Sequence, residues 1–170
     1  VIIVGGGNIG YRVSKALEGR YSVKVIESSK ERAEFLAEKL DKAVVLNGSA
    51  TDRELLLDEN VDRADVFIAL TNDDEVNVMS SLLSKILGTK KVMTLISNPA
   101  YADLMQGGDI DIAISPQQAT TSSLLAHVRK ADTVSVHSLR RGAAEALEII
   151  VHGDQKNSKV VGRKIEEIRS

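Results

Sequence analysis

Three glycines, Gly5, Gly7 and Gly10, stand in G-x-G-x-x-G spacing directly after the β-branched run Val1-Ile2-Ile3-Val4. A carboxylate, Glu27, follows about twenty residues past the first of them, at the end of the apolar run Val23-Lys24-Val25-Ile26. The chemistry this pattern serves is the binding of an anion and of the sugar attached to it. Gly5 permits a tight turn, Gly7 lets backbone approach a pyrophosphate, and Gly10 lets the following helix pack closely on the strand. The start of that helix offers unpaired N–H groups and a partial positive charge. A carboxylate at the position of Glu27 accepts hydrogen bonds from ribose hydroxyls and repels a 2′-phosphate. Strand, glycine turn, helix and acid in this order predict a dinucleotide-binding fingerprint.

Other residues invite different chemistry. The run Thr71-Asn72-Asp73-Asp74-Glu75 offers carboxylates for a metal or for acid–base work. Helix capping is the better reading, with Asn72 as the cap, Glu75 at the third helical position and first-turn acids favouring the helix dipole. Local capping requires no partner from elsewhere in the chain. Thr71 and Asn72 remain candidates for ligand contact, because they follow a strand on its carboxyl side. The chain has no cysteine, which excludes thiol catalysis, disulfides and cysteine-ligated metals. The histidines are His127, His137 and His152; His127 has the Leu124/Val128 spacing of a packed or surface helix position. Tyr11 and Lys15 have Tyr-x-x-x-Lys spacing but lie inside the glycine-loop helix. A dehydrogenase needs an acid–base group and a substrate-enclosing domain beside the nicotinamide. We therefore expect no enzyme, no catalytic residue and no metal site in this chain.

The elements that must position these residues follow from periodicity. Ile9, Val13, Ala16 and Leu17 share one helical face, and Gly19 is placed to end that helix. Ser28-Ser29-Lys30-Glu31 has capping-box spacing before Phe35, Leu36 and Leu40, the expected buried side of the next helix. Ala43 to Leu46 reads as a strand running into the polar turn Asn47-Gly48-Ser49-Ala50-Thr51-Asp52. Thr51 and Glu54 repeat the capping box before Leu55-Leu56-Leu57. Val66 to Leu70 is a continuous apolar run, as a central parallel strand buried on both faces requires. Val78, Leu82, Leu83, Ile86 and Leu87 mark a helix stopped by Gly88. Lys91 to Ile96 and Ile110 to Ile114 are further strands, each followed by a cap with proline, Asn98-Pro99 and Ser115-Pro116. The second of these leads into Leu124, Leu125 and Val128. The alternation predicts an α/β fold: a Rossmann-like, doubly wound, parallel six-stranded sheet in the order 3-2-1-4-5-6.

After Asp132 the pattern changes. Thr133 to Ser138 alternates like a strand, Arg140-Arg141-Gly142 interrupts, and Ala143 to Val151 fits helix or strand. His152 to Ser158 is a polar loop, and Val160 to Ile168 reads as a short helix. We divide the chain into a nucleotide-binding domain, 1–132, and a linker with the truncated beginning of a small second α+β unit, 133–170. A start without Met, directly on a core strand, leads us to expect a piece of a longer protein. The net charge of −2 over 170 residues leaves no electrostatic footprint for nucleic acid. No apolar run approaches the ~20 residues of a membrane span.

The first 132 positions resemble the nucleotide-binding KTN (or RCK) domain of bacterial potassium-uptake regulators. The runs Thr71-Asn72-Asp73-Asp74-Glu75-Val76-Asn77 and Ile112-Ala113-Ile114-Ser115-Pro116-Gln117-Gln118 make the match closer, to the second KTN half of the regulatory subunit of Trk-type transporters. The tail, ending in Val161-Gly162-Arg163-Lys164-Ile165, resembles the opening of the domain that adjoins it there. The resemblance implies a cytoplasmic domain, peripheral on the inner face of the membrane, that binds NAD or NADH, with ATP or ADP as the alternative. It implies dimers formed through the sixth strand and its following helix, larger rings in the full subunit, and docking on an integral-membrane Trk channel subunit that gates potassium flux. Carried over by position, Gly5, Gly6, Gly7, Asn8, Ile9 and Gly10 face the phosphates and Glu27, with Ser28, the ribose. Ser49 and Ala50 lie near the adenine, and Thr71 and Asn72 line the floor. Two positions depart from the family pattern: Ser49 where Asp is common, and Leu95 where Arg often stands. They keep open the alternative of a structural half with a degenerate ligand site.

Overall fold

The computed structural model describes residues 1–98, 100–101, 108–128, 133–139, 144–154, 156–164, 166 and 168. They form two compact units, Val1–Pro116 and Gln117–Ser170.

The first unit is built on a six-stranded parallel sheet in the order β3-β2-β1-β4-β5-β6, the expected topology. Its strands are β1 (Ile2–Val4), β2 (Lys24–Glu27), β3 (Val44–Asn47), β4 (Val66–Ala69), β5 (Lys91–Leu95) and β6 (Ile112–Ile114). Helices α1 (Asn8–Leu17), α2 (Lys30–Lys39), α3 (Arg53–Asp58) and α4 (Asp74–Leu87) connect them, and a short 3₁₀ turn at Val61–Arg63 precedes β4. Register decides what meets at the carboxyl edge. Val4 pairs with Ile26 on one side and Ala69 on the other. The ladder continues past the strand ends through Gly5 N–H to Ile26 O (2.9 Å), Leu70 N–H to Val4 O (2.8 Å) and Gly48 N–H to Glu27 O (3.0 Å). Gly5, Glu27, Gly48 and Leu70 are thereby brought to one edge.

Alternate side chains bury on opposite faces of the sheet. Ile2, Val4, Ile26, Phe67, Ala69 and Val92 pack with Leu56 and Val61. Ile3, Val25, Ile68, Leu70 and Leu95 pack with Leu36 and Leu40.

The helices differ from expectation in which residues they bury. In α1, Gly10, Ser14 and Glu18 at its end turn inward, while Ile9 is 47% exposed and Ala16 is exposed. The contact of Gly10 with the Gly5 backbone sets the roll of the helix, and positions one and two turns later follow it inward. Ser14 pairs with Gly10 O (2.8 Å), and Glu18 accepts from Lys42 N–H (2.8 Å) and Ala43 N–H (3.2 Å). Helix α1 ends in a turn in which Gly19 does not take a positive φ. Phe35 is 38% exposed instead of buried; Tyr11 meets it edge-on at 6.2 Å. On α4 the buried residues are Asn77, Ser80, Ser81 and Ser84, while Ile86 is 78% exposed. Small side chains let that helix approach the sheet closely, with Leu83 and Leu87 completing the packing. Gly88 ends it at φ 117°, as expected.

The caps sit one residue later than expected. Ser29, Asp52 and Asp73 cap α2, α3 and α4 in place of Ser28, Thr51 and Asn72. The hydroxyl of Thr51 is engaged with Ser49 Oγ (2.9 Å). A carboxylate also makes a stronger, charge-assisted acceptor than a hydroxyl or amide. Asp73 accepts from both Glu75 N–H (2.9 Å) and Val76 N–H (3.0 Å).

Helix α5 (Pro116–Val128) starts at the expected proline, the last residue of the first unit, and in the second unit β7 (Thr133–Leu139) pairs antiparallel with β8 (Ala144–Ile149). The undecided stretch after residue 143 is therefore a strand. Within the expected short helix, Val160 to Ile168, residues 160–164 form a bend and a turn, with Gly162 at φ 72°, and Glu166 is in 3₁₀ conformation. The expected Pro99 helix start and the Arg140–Gly142 interruption lie outside the described residues.

Candidate functional site

The glycine loop explains itself sterically. Gly5 sits at φ 90°, and a Cβ there would come within 2.8 Å of Thr71 N and 2.9 Å of Leu70 C. A Cβ on Gly10 would collide with the Gly5 carbonyl oxygen. Gly7 is the N-cap of α1 with extended backbone, supplies no side-chain cap, and a Cβ on it would meet nothing within 4 Å. Helix α1 thus starts without the side-chain acceptor that closes the starts of α2, α3 and α4, and the space before it is open.

Glu27 and Arg32 bind the same loop residue. Glu27 Oε2 accepts from Gly6 N–H (2.6 Å) and Oε1 from Ser29 N–H (2.8 Å). Arg32 donates from Nε to Gly6 O (2.6 Å), with its guanidinium 4.5 Å from the Phe35 ring centroid. On the far side Asn47 Nδ2 ties the ends of β2 and β3 together by donating to Glu27 O (2.9 Å) and Ser28 O (3.1 Å).

Thr71 is held from below by Asn77, which is fully buried. Asn77 Oδ1 accepts from Thr71 N–H (2.9 Å) and Thr71 Oγ1 (2.7 Å), while Nδ2 donates to Thr71 O (3.0 Å) and Leu95 O (3.1 Å). One amide thus joins the edge of β4 to the edge of β5.

Above this edge lies a cavity of about 650 Å³. It brings together Gly5, Gly7, Ile9, Glu27, Ser28, Ser49, Ala50, Thr71 and Asn72 from the expected site. Gly6, Asn8 and Gly10 do not line it: Gly6 lies behind Glu27 and Arg32, Asn8 is exposed, and Gly10 packs under the loop. Val4, Ile26, Leu70, Val76 and Leu95 give it apolar walls. Among the described lining residues, Arg32 is the one cationic side chain and Glu27 the one anionic. Open space and uncapped N–H groups before α1, a carboxylate at the end of β2 and apolar walls fit an adenine nucleotide.

Sequence reasoning passed over Arg32, reading its neighbourhood only for capping; a cation in the first turn after the strand-ending acid was the available signal. It also passed over Asn77, which lies nearly opposite the face of Val78, Leu82, Leu83, Ile86 and Leu87 that was expected to be buried. The acids of the 73–75 run serve locally: Asp73 caps, Asp74 accepts from Ser97 N–H (2.9 Å) and Asn98 N–H (2.7 Å), and Glu75 accepts from Tyr101 OH (3.1 Å). That carboxylate raises the Tyr101 phenol above its ordinary pKa. Tyr11 and Lys15 lie away from the cavity, with Lys15 paired to Asp41 (2.8 Å) and Glu18 (3.0 Å). The Lys42 N–H bond leads the causes that lower Glu18 to a pKa of about 2.

Strand order, glycine loop and strand-ending acid define a Rossmann-type α/β domain with its cavity at the switch point between β1 and β4. The chain belongs to the TrkA-N domain family, which matches residues 1–116. It is 63% identical over 168 residues to the Trk system potassium uptake protein TrkA of Halomonas elongata, covering 99% of this chain and 37% of that protein. The chain thus spans a little over a third (37%) of the length of the curated relatives it matches. Its fold is similar to that of the GsuK channel bound to NAD, with a TM-score of 0.64 and 21% identity over 81% of this chain and 25% of that one. GsuK bound to ADP gives a TM-score of 0.65 and 21% identity over 77% of this chain and 35% of that one.

Proposed function

We propose that this chain is a nucleotide-sensing regulatory domain of a bacterial Trk-type potassium transport system, without catalytic activity. Its ligand is NAD or NADH, with ATP or ADP as the alternative. The observation that carries this reading is the uncapped start of α1, opening on the cavity that Glu27 lines. The likeness to TrkA and the NAD and ADP bound in GsuK support it.

In this reading, backbone N–H groups at the start of α1 hold the phosphates, those of Gly5 and Gly6 being bonded already to Ile26 O and Glu27 Oε2, and Glu27, beside Ser28, accepts from ribose hydroxyls. Ser49 and Ala50 border the adenine, and Thr71, fixed by Asn77, forms the floor with Asn72. A bound nucleotide supplies fixed negative charge and contact area at the switch point. It shifts the relative orientation of paired domains only by binding one arrangement better than another. Paired domains, a larger ring, docking on an integral-membrane channel subunit at the cytoplasmic face and the division of the chain at 132/133 belong to the same proposal.

The test is calorimetric titration with NAD, NADH, ATP and ADP, repeated on Glu27→Ala. We expect one nucleotide to bind clearly ahead of the others and the variant to weaken it by about 1–3 kcal/mol, from polar groups left unpaired. Unchanged affinity in the variant would sink the placement of Glu27. Leu95 in the cavity wall, where the family often has Arg, favours the second reading, a half that supports assembly with a degenerate site. Absence of binding by all four nucleotides would select it.

A further inference from the structure

Glu27 taken alone predicts rejection of a nucleotide phosphorylated at the ribose 2′-position. The fold changes the electrostatics of that position. Both oxygens of Glu27 already accept main-chain N–H bonds, from Gly6 (2.6 Å) and Ser29 (2.8 Å). Arg32 reaches the carbonyl of the same Gly6 through Nε (2.6 Å), and its guanidinium lies 4.5 Å from the centroid of Phe35. No ion pair joins Arg32 to Glu27 or to any other described carboxylate. Neither of its terminal nitrogens has a hydrogen-bond partner among the described residues. Half-buried, in the cavity lining, it is a fixed and uncompensated fork of donors beside the ribose acid. A planar fork of this kind matches the oxygens of a phosphate group.

We infer that Arg32 sets the specificity of this site by offering its terminal nitrogens to the 2′-position of an adenosine ribose, so that 2′-phosphorylated dinucleotides, NADP(H), are accepted alongside NAD(H). The inference rests on the nucleotide-binding reading above. Any group that reaches Glu27 is within reach of Arg32, because both side chains are anchored on one residue of the loop. The carboxylate serves the hydroxyls of an unmodified ribose, and the guanidinium offsets its repulsion when a phosphate replaces the 2′-hydroxyl.

The experiment compares NAD with NADP, and 5′-AMP with 2′,5′-ADP, by calorimetry on the whole chain. In the unmodified protein the affinities within each pair are expected to agree within about threefold, less than one charge-assisted contact separates. Arg32→Gln should weaken the 2′-phosphorylated member by about tenfold or more relative to its partner, and Arg32→Lys by less. Lys39→Gln is the control for diffuse charge, because Lys39 Nζ is 5.9 Å from the Phe35 centroid but outside the cavity lining; it should leave both ratios unchanged. Should the Arg32 variants fold poorly, added salt serves in their place, since it should weaken NADP more than NAD in the unmodified protein. NAD binding with NADP excluded, or ratios that Arg32→Gln does not move, overturns the role of Arg32 and leaves the nucleotide reading standing. Binding of none of these ligands overturns both.

Discussion

Two helices start at the same edge of the sheet and are finished in opposite ways. Helix α4 is closed by Asp73, whose carboxylate takes two first-turn N–H groups, and its neighbours Asp74 and Glu75 are tied to the loop after β5 and to Tyr101. Helix α1 begins at Gly7 with no side-chain acceptor and open space before it. A capped start is complete within the chain, whereas an uncapped start beside a cavity is complementary to an anion from outside it. The same edge therefore holds one structural helix start and one that fits a ligand. The acidic run, at first sight the richer chemistry, belongs to the structural one.

This contrast can be broken from either side. The largest effect is expected from Gly10→Ala, which drives a methyl group into the Gly5 carbonyl. Denaturant unfolding should show a loss of about 3 kcal/mol, with nucleotide binding abolished. Asn77→Ala strands the polar groups of Thr71 and Leu95 at the cavity floor and should lower stability by about 2–3 kcal/mol in the same measurement. Gly7→Asp tests the open start directly, because its extended backbone and clear surroundings accept a side chain. It should raise stability by a few tenths of a kcal/mol, about what a cap gains over glycine, yet weaken nucleotide binding in calorimetry by about tenfold or more. Asp73→Ala is the converse, with about 1 kcal/mol of stability lost and nucleotide affinity retained. A comparable loss of affinity in both variants would erase the distinction between the two starts.

The smallest effect concerns pH. Glu18 has a pKa lowered from 4.5 to about 2, with the Lys42 N–H bond the first cause. A depressed carboxylate stabilises the fold above its unfolded pKa, and that contribution fades as pH falls toward the folded value. Thermal melts of the unmodified chain should therefore decline between about pH 4.5 and pH 2 more steeply than those of Glu18→Gln.

Much of this architecture was legible from residue order. Gly5, Gly7, Gly10 and Glu27 announced strand, turn, helix and acid, because the fingerprint is local; Gly5 and Gly10 answer steric demands of the turn, and Gly7 leaves the helix start open. The continuous apolar run before Thr71 announced a central strand buried on both faces. Other features misled for definable reasons. The caps expected at Ser28, Thr51 and Asn72 were missed by one position because each lies beside another residue able to cap, and spacing alone does not choose between neighbours. Ile86 and Ile9 were expected inside because they are large and apolar, but the backbone approach of α4 and the roll of α1 were decided by serines and by glycine.

The sequence by itself determined the order of the elements, the parallel topology and the place of the glycine loop, since periodicity and turn chemistry act over a few neighbouring residues. Only the tertiary structure decided that Glu27 and Arg32 share Gly6 across separations of 21 and 26 residues. It likewise decided that Asn77 fastens Thr71 to Leu95, 18 residues beyond it. Such contacts depend on strand register and helix roll, which place distant residues side by side and leave no period in the chain to read.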